Sequence, residues 1–300
     1  MNRSRREFLG YAGATAAIAA APSFAVSQQS AMQFGYASIT WGKEEVQAID
    51  DIAAAGYAGI QMRNNAVAEF KPDELRSLLK QKKLTFVALS SGELDIDPKV
   101  EAEQLALHTA NAQFVHQVGG RYLQILDQLK AYPRKVTSDE CMRLGKLLTE
   151  LGKRVADTGV QLGYHNHMNT ISEKPDDLAR VLHASDPHYV GLELDTAHYV
   201  AGGGDAAKAI KTYRDRLLFM HLKDFVDIPI GTENAKYPFK FVELGKGRVD
   251  LPAVFTSLWD IRYEGWLIVE LDRVPDKSRT PKECAETSKK YLEEKIGVRV

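Results

Sequence analysis

Four short stretches of this chain carry ionisable residues two positions apart. They are His165 and His167 in LGYHNH (162–167), Glu193 and Asp195 in GLELD (191–195), His221 and Lys223 in MHLKD (220–224), and Glu270 and Asp272 in VELD (269–272). Residues two apart on a strand face the same way. Each stretch therefore offers a pair of polar groups to one face, with Leu218, Met220 and Leu222, or Val269 and Leu271, on the other. A lone histidine or aspartate at a strand end is more often a hydrogen-bonded residue than a ligand. Four pairs in register are harder to explain as packing, because buried charge is costly unless it is paired or bound to a metal. Imidazole mixed with carboxylate is a donor set for Mn²⁺, Co²⁺, Fe²⁺ or Zn²⁺ rather than Ca²⁺ or Mg²⁺. The competing reading is an ion-pair cluster that closes the mouth of the fold; the metal reading is favoured.

The elements that must position these pairs alternate regularly. Apolar runs that read as strands are FGYASITW (34–41), GIQMR (59–63), TFVALSSG (85–92), YLQIL (122–126), VQLGYHNH (160–167), VGLELD (190–195), LLFMHLKD (217–224) and GWLIVELD (265–272). Helical patterns separate them, among them EEVQAIDDIAAAG (44–56), DELRSLLKQKK (73–83) and CMRLGKLLTELGKRVADTG (141–159). Strands alternating with helices predict a parallel sheet covered on its faces. Eight strands in about 270 residues predict an α/β fold of the closed (β/α)8 TIM-barrel kind, a single domain over 31–300, with its active site at the C-terminal strand ends. An open doubly wound sheet would carry a glycine-rich phosphate loop after an early strand; Gly202-Gly203-Gly204 comes late and lacks that spacing.

Bulk properties narrow the function further. The 300 residues carry a net charge of −1 with Lys and Arg scattered, so no basic stripe argues for nucleic acid. The two cysteines, Cys141 and Cys284, have no metal-finger spacing, and whether they pair is open. The start is of another kind: NRSRREFLG (2–10) precedes an Ala-rich stretch ending near Ala25–Ser27. A basic start, a short apolar segment and small residues describe an export signal over residues 1–30, and Arg5-Arg6 before Phe8-Leu9 resembles the twin-arginine type. The stretch is too short to favour a membrane anchor. The expectation is a periplasmic protein, exported already folded, with no membrane segment in its mature form.

The motifs DTAH (195–198), HLKD (221–224), LGKGRVD (244–250) and VELD (269–272) resemble the xylose-isomerase-like barrel superfamily of sugar isomerases, epimerases and lyases. GYHNHMNT (163–170) and SITWG (38–42) resemble inosose dehydratases and related members. The resemblance implies one divalent metal held by an acid on the fifth strand, Asp on the sixth, His on the seventh and Glu on the eighth. In this chain the last three are Asp195, His221 and Glu270, and the fifth-strand place falls on His165 or on His167. Gln61 stands where relatives tend to carry an acid.

The chemistry implied is a metal-stabilised enediolate formed from a keto-sugar, keto-glycoside or keto-cyclitol. His167, His198, Lys223 and Glu270 are the candidates for base and acid, while Trp41, Gln124, Arg248 and His198 are candidate substrate contacts. Each has a plainer alternative: a core indole for Trp41, a surface loop residue for Arg248, a helix-cap or core imidazole for His198, and a salt bridge to Asp224 or Glu193 for Lys223. Expulsion of a β-substituent would make the protein a lyase or dehydratase, the leading expectation. Return of the proton to another face or carbon would make it an isomerase or epimerase. A non-catalytic sugar-binding barrel or an endonuclease relative is the remaining class, opposed by the charge balance. A homodimer is a further expectation.

Overall fold

A computed structural model describes residues 32–130, 134–229, 231–232 and 237–300. The segment read as an export signal lies outside the described residues. Ten strands are described: β1 (Gln33–Ala37), β2 (Gly59–Arg63), β3 (Thr85–Leu94), β4 (Tyr122–Asp127), β5 (Gln161–His165), β6 (Val190–Asp195), β7 (Leu217–Leu222), β8 (Asp224–Asp227), β9 (Phe239–Val242) and β10 (Trp266–Val269). Eight of them close into a parallel barrel in the order β1-β10-β7-β6-β5-β4-β3-β2. Helices cover its outside, so the expected single-domain (β/α)8 barrel is the architecture observed. The antiparallel pair β8–β9 stands apart from it.

Parity along the strands divides the interior into floors. The lower barrel is plugged by Val87, Ala88, Tyr122, Phe219, Trp266 and Ile268, with Tyr122 and Phe219 stacked 4.8 Å between centroids. Two residues further along β7 and β10, the same face carries His221 and Glu270 instead. The alternate residues Met220, Leu222, Val269 and Leu271 join the larger core between barrel and helices. The apolar plug excludes water from below and leaves a polar upper floor open only at its mouth. The plug is filled to the backbone: a Cβ on Gly59 would sit 2.5 Å from the Trp266 ring and 2.6 Å from Val87. Gly59→Ala should therefore cost about 1–3 kcal/mol by overpacking. Urea unfolding would show this; an unchanged midpoint would mean the plug is loose.

Several boundaries differ from those read in the sequence. The first strand ends at Ala37 and a 3₁₀ turn, Ser38–Trp41, follows. The fifth ends at His165, the seventh at Leu222 and the eighth barrel strand, β10, at Val269. The period-two pattern runs on past each end, which is why the ends were invisible. Asp224 begins β8, and its carboxylate accepts N–H bonds from Phe225, Gly245, Gly247 and Val249 at 2.8–3.1 Å. The LGKGRVD loop thus spends its amides on Asp224, and a Cβ at Gly247 would overlap that carboxylate. Cys141 and Cys284 are both buried and unpaired with each other.

Candidate active site at the barrel mouth

His165 is the last residue of β5, opposite Glu193 in the register of β6. Asp195, the last residue of β6, lies opposite His221 on β7. Asn166 zips the two strand ends together: its amide oxygen accepts from the Asp195 N–H at 2.9 Å and its amide nitrogen donates to the Asp195 carbonyl at 3.3 Å. The amide between the two histidines is thus a structural clamp that holds His165 and Asp195 side by side.

His221 is the centre of the polar floor. Its Nδ1 lies 3.4 Å from Glu270 Oε2 and 3.6 Å from Asp195 Oδ2. Its Nε2 lies 2.7 Å from Glu193 Oε1 and 2.8 Å from Gln61 Oε1. Gln61 in turn donates to Gln124 Oε1 at 3.3 Å. Burial by itself pushes His221 down, but Glu193 and Glu270 outweigh it and hold this imidazole well above its usual range. Asp195, His221 and Glu270 place ligand-type atoms within 4.8 Å of one another, as do His165, Glu193 and His221, and His165, His167 and His198. Among the described residues, His165 Nδ1, His221 Nδ1 and Asp195 Oδ2 are buried without a hydrogen-bond partner. Orphaned lone pairs of this kind, on mixed imidazole and carboxylate donors, fit a divalent cation.

Lys223 follows directly. Its ammonium donates to Glu270 Oε1 at 2.7 Å and to Asp272 Oδ1 at 2.5 Å, and it lies 3.3 Å from His198 Nε2. Its partners are these two carboxylates, not Asp224 or Glu193. Phe241 of β9 covers it, with the ring centroid 4.0 Å from Nζ and 5.2 Å from the His198 ring. His198 is buried, one turn into the helix Thr196–Ala201, and its N–H donates to Asp195 Oδ1 at 2.7 Å. His167 is half-buried, its ring 3.7 Å from that of His198. Its Nδ1 is 2.7 Å from the Met168 carbonyl, which takes the proton and leaves the lone pair on Nε2. Burial, then the Lys223 charge, pushes His167 down, and burial, then the charge on His221, pushes His165 well down. Both are held neutral, as a base or a ligand must be.

The mouth therefore gathers His165, His167, Asp195, His198, His221, Lys223 and Glu270, with Gln124 reaching it through Gln61. Two other expected residues stand elsewhere. The Trp41 indole donates to Asp51 at 2.8 Å and packs edge-on against Tyr36 in the helix-side core. Arg248 is exposed and donates to both oxygens of Asp227. Glu193, Gln61, Asp272 and Phe241 belong to the site without having been singled out as site residues. Glu193 and Asp272 shared a face with chosen residues, which was the available signal; Phe241 lies on a strand whose place above the mouth had no signal at all.

The loop carrying His167 is anchored by Asp127, which accepts from the Tyr164 hydroxyl and the Ile171 N–H, both at 2.6 Å. Burial pushes the Asp127 carboxyl up to about 6, only partly opposed by these bonds. The folded state holds this proton more tightly than the unfolded chain, where the group titrates near ~3.9. Stability is then greatest below that value and falls as pH rises through about 6, by roughly 2–3 kcal/mol. Asp127→Asn should lack this component; parallel pH–stability curves for the two proteins by urea unfolding would refute it.

A closed (β/α)8 barrel whose C-terminal strand ends bring imidazoles and carboxylates to one rim is an architecture of enzymes. The chain belongs to the xylose isomerase-like TIM barrel family, whose model matches residues 49–295. An inosose dehydratase of Lacticaseibacillus casei is 28% identical over 301 residues, covering 89% of this chain and 98% of that one. Another from Clostridium botulinum (strain Alaska E43 / Type E3) is 28% identical over 279 residues, covering 86% and 92%. Among solved structures, the IolI protein with a bound zinc atom has the same fold at a TM-score of 0.74 and 20% identity, covering 88% of this chain and 97% of that one.

Proposed function

We propose that this protein is a divalent-metal-dependent dehydratase or lyase acting on a keto-sugar, keto-glycoside or keto-cyclitol. The observation that carries the reading is the set of buried, partnerless ligand atoms on His165, Asp195 and His221 beside Glu270. These four residues would hold the ion, with Mn²⁺ or Co²⁺ favoured and Zn²⁺ or Fe²⁺ also suited to the donors. When bound, the ion supplies Lewis acidity that polarises a carbonyl and acidifies the neighbouring C–H. The fixed tautomer of His167 leaves Nε2 to accept that proton. Lys223, held by two carboxylates beside His198, places positive charge and N–H donors where a departing oxygen gains charge. Phe241 offers an apolar face for the C–H side of a ring. The inosose dehydratase relatives support the substrate class.

The isomerase or epimerase reading shares the metal and the first proton removal. It needs a second group free to return a proton at carbon, and Glu270 is held by Lys223 and His221. Elimination is therefore preferred. Incubation of the metal-loaded protein with inosose and with a 3-keto-glycoside in heavy water decides between them. An unsaturated product or a released aglycone is expected; deuterium uptake without loss of a group would replace this reading with the isomerase one. The basic, alanine-rich start suits export of a folded, metal-loaded chain to the periplasm, which cell fractionation would test.

A further inference from the structure

At the base of the site lies a carboxylate that this mechanism does not use. Glu193 is fully buried, and neither of its oxygens has a hydrogen-bond partner. Leaving a carboxylate in this state is costly. Among the described residues its ion-pair contacts are two imidazoles: His221 Nε2 at 2.7 Å from Oε1 and His165 Nδ1 at 3.6 Å from Oε2. Such a group destabilises the fold unless something else in the site repays it.

His221 shows what that is. An imidazole that binds a cation must be neutral, with its lone pair on the binding nitrogen and its proton on the other. Nδ1 faces the Asp195 and Glu270 oxygens, where a cation would sit. Nε2 faces two acceptors, Glu193 Oε1 and Gln61 Oε1. Gln61 is itself oriented, because its amide nitrogen donates to Gln124. Gln61 Oε1 accepts from Nε2 and the Glu193 charge faces the same nitrogen, so the proton belongs on Nε2 and the lone pair on Nδ1. Gln61 fixes the direction; Glu193 adds negative charge behind the ring, which makes Nδ1 a stronger donor and balances the charge of a bound ion.

We propose that Glu193 is a positioning residue of the metal site: beside Gln61, it faces the Nε2 proton of His221 with buried negative charge and so favours the tautomer that presents Nδ1 to the cation. This rests on the metal reading above. It is tested by metal affinity and by rescue with the conservative variant, which a merely structural carboxylate would not move together. The protein is stripped with chelator and titrated with Mn²⁺ and with Zn²⁺, as wild type, Glu193→Gln and Glu193→Asp, and each form is melted with and without ion. Glu193→Gln should bind each ion about 10–100-fold more weakly, and a given concentration of either ion should raise its melting temperature by less than it raises that of the wild type. Glu193→Asp should recover part of the affinity. Wild-type affinity in Glu193→Gln, or a Glu193→Asp variant that binds no better than Glu193→Gln, overturns the proposal alone. A wild type that takes up neither ion overturns the metal reading together with it.

Discussion

Asp195→Asn should purify folded, carry less than about a tenth of an ion per chain, and lose at least about 10³-fold in turnover, the equivalent of the several kcal/mol a Lewis acid provides. The two oxygens of Asp195 have separate duties. Oδ1 caps the helix Thr196–Ala201 by accepting from the His198 N–H. Oδ2 has no hydrogen-bond partner and faces His221 Nδ1 at 3.6 Å. Asparagine keeps an oxygen for the cap but turns an N–H₂ toward the place where a lone pair is needed. The fold should survive because the cap and the Asn166 clamp both act through groups that asparagine retains. The natural control is Arg248→Ala, an exposed residue whose side chain pairs with Asp227 and lies over the Phe225 ring, which should leave metal content and rate unchanged. Elemental analysis beside a steady-state assay checks both. A fully loaded, active Asp195→Asn would remove the sixth strand from the metal site and with it the proposed chemistry.

Much of this site was legible because strand parity is a local property. Two-residue spacing put His221 with Lys223, and Glu270 with Asp272, on one face without any knowledge of tertiary structure, and the barrel brings those faces to a single rim. What parity does not tell is depth. Glu193 shares the face of Asp195 yet sits one floor lower, where its role is to back His221 and not to face the mouth. Nor does parity tell which strands meet across the barrel: Gln61 on β2 reaches His221 on β7, 160 residues away, only because the sheet closes. Trp41 lay in a run that looked like strand, but the backbone turns after Ala37 and carries the indole to the helix side. The loop LGKGRVD resembles a superfamily motif and offered Arg248 as a substrate contact; its amides serve the buried Asp224.

Lys223→Met should reduce turnover by about 10²–10⁴-fold, the range expected when a positioned acid–base group is lost, and should also lower the melting temperature. The second effect has its own cause. Glu270 and Asp272 both receive hydrogen bonds from this ammonium in a site where Lys223 is fully buried. Removing one partner of such a buried cluster leaves carboxylates uncompensated, at a cost of about 3–5 kcal/mol. Loss of activity in the single variant would therefore not by itself show that the ammonium does chemistry. The two contributions separate in a double variant. Lys223→Met with Asp272→Asn removes one positive and one negative charge together, so most of the lost stability should return. Turnover should not, because the ammonium that would meet the charge developing on a departing oxygen is gone. Thermal melts and single-turnover rates for wild type, both single variants and the double variant complete the cycle. If activity returned along with stability, Lys223 would be only the counterion that lets two carboxylates share the rim, and His167 would have to carry the proton transfers alone.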